Sequence, residues 1–204
     1  MQSSRNFYLI LLTIFGFVFI WSAFGPLERF TWWLEIFPIL IALPTLFLSY
    51  KNLQFTRLAY VLMLAHAIIL MVGGHYTYAE VPLFNLLRDT FELSRNYYDR
   101  VGHLAQGFVP AIIAREILLK KSPLVSGRWL FFIVCCISLS ISVIYEFIEW
   151  WTAVLEGGAA EAFLGTQGDV WDTQWDMFCA LIGSVIAQLL LAKMHDKQML
   201  GIQR

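Results

Sequence analysis

The sequence predicts an all-α, polytopic membrane helical bundle of about six transmembrane helices, with both termini cytoplasmic. Three observations predict it. The chain is 59% hydrophobic and 14% charged over 204 residues, where soluble domains carry about 45–50% apolar and about 25% charged residues. Its mean hydropathy is +0.66. The apolar residues gather in six runs, each near the roughly 20 residues a helix needs to cross a hydrocarbon core of about 30 Å. Six such runs leave only short loops, so residues 1–204 read as a single transmembrane domain.

The first run, Phe7–Phe24, follows Arg5 and resembles a leader. It is long for the apolar stretch of a cleaved signal, and Pro26 follows Gly25 where a cleavage site would end, so it reads as the first membrane helix. The second run, Trp32–Tyr50, contains Pro38 and Pro44. Neighbouring helices can satisfy the carbonyls that proline frees, so these predict a kink rather than a break. The remaining runs are Leu58–His75, Val101–Leu119, Trp129–Trp151 and Trp175–Ala192. Trp21, Trp32, Trp33, Trp129, Trp150, Trp151 and Trp175 mark their ends, as indole rings prefer the interface.

Orientation follows from Lys and Arg, which favour cytoplasmic loops. With the N-terminus inside, Arg5, Lys51, Arg57, Arg115, Lys120, Lys121, Arg128, Lys193, Lys197 and Arg204 fall on the inner side, ten of fourteen. The acids run the other way. Only Glu116 and Asp196 fall inside. Two outer loops are long enough to have structure. In residues 80–98, Phe84, Leu87 and Phe91 recur at helical spacing among charges, which predicts an interfacial amphipathic helix or a loop helix packed on the bundle. The loop over residues 152–174 carries Gly157, Gly158, Gly165 and Gly168, which permit sharp turns.

Other classes are disfavoured. A net charge of −1 and the absence of any basic patch exclude nucleic acid. Cys135, Cys136 and Cys179 lie in apolar stretches and read as packing residues rather than disulfide partners.

Chemistry is expected at the outer mouth. Asp99 and His103 are four apart at the start of the fourth run. Glu146 and Glu149 are three apart near the end of the fifth. Asp172 and Asp176 are four apart at the start of the sixth. These spacings place each pair on one helix face, and the topology places all of them at one depth. His75, at the outer end of the third run, is positioned to join. An ionised carboxylate at mid-bilayer costs roughly 2.5–3.5 kcal/mol on insertion scales, so such a cluster needs a proton, an arginine or a cation.

Three readings follow. Oxygen and imidazole ligands from Asp99, His103, Glu146, Glu149, Asp172, Asp176 and His75 suit a divalent metal ion. A proton path for a small transporter would use the same acids, with His66, Arg115 and Glu116 on the inner half. A scaffold without ligand would pair the acids with Arg95 and Arg100. If the protein is an enzyme, His103, Glu146 and Asp176 are the candidate catalytic groups, and the metal would activate water on a lipid or cell-envelope substrate. Membrane lipid is the expected partner, the substrate stays unidentified, and homo-oligomerisation is left open.

Lesser features carry blander expectations. His66 is expected to hydrogen-bond a neighbouring helix. Arg115 and Glu116 are expected to snorkel and pair near the headgroups. Gln106 and Gln167 are expected to hydrogen-bond within the vestibule. His195 is expected to be solvated beyond the last helix, and Gly183 to allow close helix packing.

From about Pro82 onward the chain resembles a bacterial inner-membrane family typified by YjdF. The strings that carry the likeness are Arg88-Asp89-Thr90-Phe91-Glu92-Leu93-Ser94-Arg95-Asn96, Tyr98-Asp99-Arg100-Val101-Gly102-His103, Tyr145-Glu146-Phe147-Ile148-Glu149-Trp150 and Gly168-Asp169-Val170-Trp171-Asp172-Thr173-Gln174-Trp175-Asp176-Met177. The resemblance implies a multi-pass inner-membrane protein. A fainter similarity is to VanZ-like proteins, through Asp99, Arg100 and His103, then Glu146, then Asp176 with Gly183; it implies architecture rather than chemistry.

Overall fold

The computed structural model describes residues 2–156 and 161–202. The six apolar runs each lie in one long helix: α1 (Gln2–Ala23), α2 (Arg29–Ser49), α3 (Arg57–Tyr76), α5 (Tyr98–Lys121), α6 (Arg128–Glu156) and α8 (Asp172–Ile202). Two short helices, α4 (Pro82–Thr90) and α7 (Glu161–Leu164), sit in the long loops. No strand occurs among the described residues.

Five of the long helices, α1, α2, α3, α6 and α8, are long and apolar enough to cross a membrane. The exception, α5, has the length, at 24 residues, but carries Asp99, Arg100, His103, Arg115, Glu116, Lys120 and Lys121. It sits where polar groups find partners. α5 packs against α3, α6 and α8, while α1 and α2 pack on α3. Asp99, His103, Arg115 and Glu116 are all buried there. A charged helix is tolerable in a bilayer when it faces the bundle interior.

Local chemistry sets the helix ends. The Glu28 carboxylate accepts from the backbone N–H groups of Phe30 and Thr31 and so caps α2. Thr56 Oγ1 accepts from Ala59 N at 3.2 Å and caps α3. α2 continues unbroken through Pro38 and Pro44. The chain ends share one end of the bundle. The Tyr8 ring meets Tyr60 near the start of α3, and Gln198 near the end of α8 accepts from Leu58 N at 2.9 Å.

The loops are shorter-limbed than expected. The helix within residues 80–98 stops at Thr90, and Glu92, at φ 51°, turns the chain. Leu83, Leu86 and Phe91 are exposed, while the Phe84 ring packs edge-on against Tyr98 at 5.2 Å. In the other loop, α6 runs on to Glu156. Gly157 and Gly158 lie outside the described residues. Gly165 and Gly168 have φ of 60° and 84°, a region glycine adopts without the Cβ penalty.

Glycines decide how α5 meets α8. A Cβ on Gly107 would run into the Ala180 carbonyl, and one on Gly183 into the Leu104 carbonyl, with Phe108 N at 2.9 Å. The two backbones are therefore nearly in contact, as small residues allow between membrane helices. Gly16 in α1, by contrast, has nothing within 4 Å of such a Cβ. Gly107→Ala and Gly183→Ala are expected to destabilise the protein by about 1–3 kcal/mol, the usual cost of overpacking. Gly16→Ala is expected not to destabilise it. Thermal unfolding in detergent checks this; equal melting of all three variants would deny the close approach.

Candidate functional site

One polar cluster forms where α5 and α8 begin. Asp99 lies in the first turn of α5 and Asp172 in the first turn of α8. Helix N-termini carry partial positive charge, so carboxylates are favoured there. Asn96, fully buried, sets the approach to α5. Its Oδ1 accepts from Tyr98 N at 3.1 Å, and its Nδ2 donates to Val81 O at 3.1 Å and Asn85 Oδ1 at 2.8 Å. Gln167 clasps the Asn96 backbone from the second loop, accepting at 2.9 Å and donating at 3.0 Å.

Two arginines bind the acids together. Arg95, 4% exposed, donates through Nη2 to Asp99 Oδ2 at 3.2 Å and Gly165 O at 3.0 Å, and through Nη1 to Asp172. Arg100 donates through Nη2 to Asp172 Oδ1 at 2.6 Å and Asp169 Oδ2 at 3.1 Å. Its Nη1 reaches Asp99 Oδ2 at 3.3 Å and Asp176 Oδ1. Four aspartates thus share two guanidinium groups, each a fixed fork of donors suited to carboxylates.

His103 completes the cluster one turn below Asp99. Its Nδ1 lies 3.1 Å from Gln106 Oε1. An amide oxygen only accepts, so Nδ1 carries the hydrogen. Nε2 then faces Asp99 Oδ1 at 3.4 Å and Asp176 Oδ1 at 3.8 Å. Ligand atoms of Asp99, His103 and Asp176 all lie within 4.8 Å of one another. Glu146 stands on the other side of the ring, with Oε1 3.7 Å from Nδ1.

A cavity of about 20 Å³ adjoins the imidazole, lined by residues that include Glu35, Asp99, His103, Tyr145 and Glu149. That is room for about one water molecule. The Tyr145 hydroxyl donates to Glu35 Oε2 at 2.9 Å. Sequence reading passed over Glu35, since a lone acid inside an apolar run has no spaced partner on its own helix. It also passed over Asp169, which lies in a loop.

The predicted site residues therefore separate. Asp99, His103 and Asp176 converge. Glu146 borders them across the ring, and Glu149 lines the cavity. Asp172 is taken up by Arg95 and Arg100. His75 stands elsewhere: its Nδ1 contacts Ser22 O at 3.0 Å and its ring stacks on Trp21 at 4.6 Å. His66 Nε2 is buried without a hydrogen-bond partner among the described residues, against the expectation of a bond to a neighbouring helix.

A second polar cluster lies at the opposite end and corrects two expectations. Arg115 and Glu116 do not snorkel, and His195 is not solvated; all three are buried, His195 completely. The reason is that α8 runs ten residues past the apolar run and carries His195 back against α5. Arg115 Nη1 lies 2.8 Å from His195 Nδ1. A guanidinium only donates, so Nδ1 accepts and Nε2 carries the hydrogen. Nε2 donates to Glu116 Oε2 at 2.9 Å. Glu116 also accepts from Thr56 N and Oγ1, each at 2.8 Å, and from Lys120 Nζ at 2.6 Å. Arg115 pairs further with Asp196 at 2.7 Å. Between the two clusters, His103 and Glu116 stand about 20 Å apart along α5 at 1.5 Å per residue, across buried Val109, Ala111, Ile112 and Ala114.

Fold and site together define a multi-pass membrane protein with a buried charged cluster at each end of one central helix. Residues 7–197 match the family described as a predicted membrane protein family, DUF2238, and the chain belongs to it. It is 45% identical over 182 residues to the inner membrane protein YjdF of Escherichia coli (strain K12), covering 89% of this chain and 87% of that one. No solved structure matches. The protein is accordingly a multi-pass inner-membrane protein.

The second cluster yields a measurable difference. Glu116→Ala leaves the His195 N–H and the Thr56 N–H and hydroxyl without their acceptor and Lys120 without its counter-charge, and is expected to cost about 3–5 kcal/mol, as for breaking a buried pair from one side. Asp196→Ala removes a carboxylate whose side chain is 42% exposed and is expected to cost no more than about 1 kcal/mol. Unfolding in detergent distinguishes them, and similar losses would mean that Glu116 is not the centre of the network.

Proposed function

We propose that this protein binds a divalent cation at its non-cytoplasmic mouth, on Asp99, His103 Nε2 and Asp176. One observation carries the reading. With the Nδ1 hydrogen committed to Gln106, the Nε2 lone pair points between two carboxylate oxygens. The separations are 3.4 and 3.8 Å. Ligands held about 2.1 Å from an ion at angles of 90–120° stand about 3.0–3.6 Å apart; the His103–Asp99 spacing falls in that range and the His103–Asp176 spacing just outside it. Metal-bound histidines usually donate their other N–H to a fixed acceptor, as His103 does to Gln106. One imidazole with two carboxylates suits zinc or manganese better than calcium. Such an ion supplies a Lewis acid and acidifies bound water, which is the basis for proposing action on a lipid or cell-envelope substrate. Lys51, Arg57, Lys120, Lys121 and Arg128 at the opposite end support the outward orientation.

A second reading is favoured by Arg100, which already holds Asp176 Oδ1. In it the acids and arginines form a closed structural network with no ligand. Metal analysis separates the two. Purified protein exposed to zinc or manganese and then desalted is expected to retain about one ion per chain. His103→Ala and Asp176→Asn are expected to weaken retention at least about tenfold, with Glu80→Gln as an unaffected control. Wild-type protein that retains no ion would leave the arginine network as the whole account.

A further inference from the structure

We propose that an apolar groove between α6 and α8 takes the chain of a membrane amphiphile and presents its ammonium head to Glu146 and Glu149. The groove has a volume of about 310 Å³, at the lower end of the range for ligand pockets. Val143, Phe147, Trp150 and Met177 supply its apolar walls, and Glu146 and Glu149 its charge. No lysine or arginine occurs among its described lining residues.

Three features select the occupant. First, Glu146 is 5% exposed, and its Oε1 has no hydrogen-bond partner among the described residues. A buried carboxylate oxygen without a donor is costly, and the His103 Nδ1 hydrogen, 3.7 Å away, is already given to Gln106. Second, Glu146 and Glu149 are three apart on one helix face, about 5–6 Å between their Cβ atoms. An ammonium group has three N–H donors to share between them. An anionic head would instead meet two carboxylates. Third, Phe147 and Trp150 are exposed on α6, so the groove opens towards lipid and is filled from the bilayer. Its volume suits one chain near the head rather than two.

This inference goes beyond the cation site and needs no metal. The two carboxylates of the proposed metal site, Asp99 and Asp176, lie on the Nε2 side of His103, whereas Glu146 lies on the Nδ1 side. Native mass spectrometry of the full chain in dodecyl maltoside with a chelator present tests it. Dodecylamine is expected to add one molecule per chain, while dodecyl sulfate and ethylamine are expected to add none. Glu149→Gln and Val143→Phe are each expected to lower dodecylamine occupancy about tenfold or more. Glu80→Gln, outside the groove, is expected to leave it unchanged. Glu149→Gln keeps the test open if Val143→Phe fails to fold. Absence of the dodecylamine adduct, equal binding of dodecyl sulfate or ethylamine, or indifference to the folded variants would overturn the inference, whatever the metal analysis shows.

Discussion

The structure depends on the contact between the start of α5 and the start of α8, where Arg95 and Arg100 hold Asp99, Asp169, Asp172 and Asp176. Burying charge is expensive, and mutual attraction offsets that cost only when the geometry is good and remaining donors and acceptors are used. Here one guanidinium spans several carboxylates and two helix dipoles add favourable field. That arrangement requires α8 to lie close to α5. Gly107 and Gly183 permit the approach by leaving room for the facing backbone. Backbone packing and ion pairing are thus one constraint: without the glycines the arginines would not reach, and without the arginines the helices would bring uncompensated acids together.

Much of this was legible in the sequence. Apolar runs of membrane length predicted every long helix, because hydrocarbon leaves the backbone no alternative to internal hydrogen bonding. The extension of α8 was not legible from hydropathy. Residues 193–202 are polar enough to resemble a tail, and the partners of His195 and Asp196 on α5 and of Gln198 on α3 explain why they stay helical and packed. Spacing placed Asp99 with His103 and Asp172 with Asp176 on shared faces. It could not say which oxygen meets an arginine and which meets the imidazole, since that depends on how α5 and α8 are rotated about their axes. His75 shows the same limit. Depth brought it level with the cluster, but its side of α3 turned it to Trp21 and Ser22.

Glu35 illustrates a different blind spot. On α2 it has no ionisable neighbour three or four residues away. Its significance comes from Tyr145 on α6, which donates to it, and from the cavity it shares with Asp99, His103 and Glu149. Pairings between distant helices leave no periodicity to read. Gly73 and Gly102 belong to the same surroundings: a Cβ on either would strike the Tyr78 ring, which also lines that cavity.

The two ends of α5 differ in a way that bears on function. At the end that holds Arg115 and Glu116 each charge of the cluster has a counterpart. Glu116 collects Thr56, Lys120 and His195, and Arg115 is shared by His195, Ser126 and Asp196. Such a closed network fixes three helices and leaves no valence for a ligand. At the opposite end, Glu35, Asp99, Glu146, Glu149, Asp169, Asp172 and Asp176 crowd around Arg95, Arg100 and one imidazole. Carboxyls outnumber their protein counter-charges, and one buried oxygen of Glu146 lacks a donor among the described residues. Proteins seldom leave buried acceptors unused. That surplus of carboxyls, beside both a cavity and an apolar groove, is what the two proposed cation sites have in common.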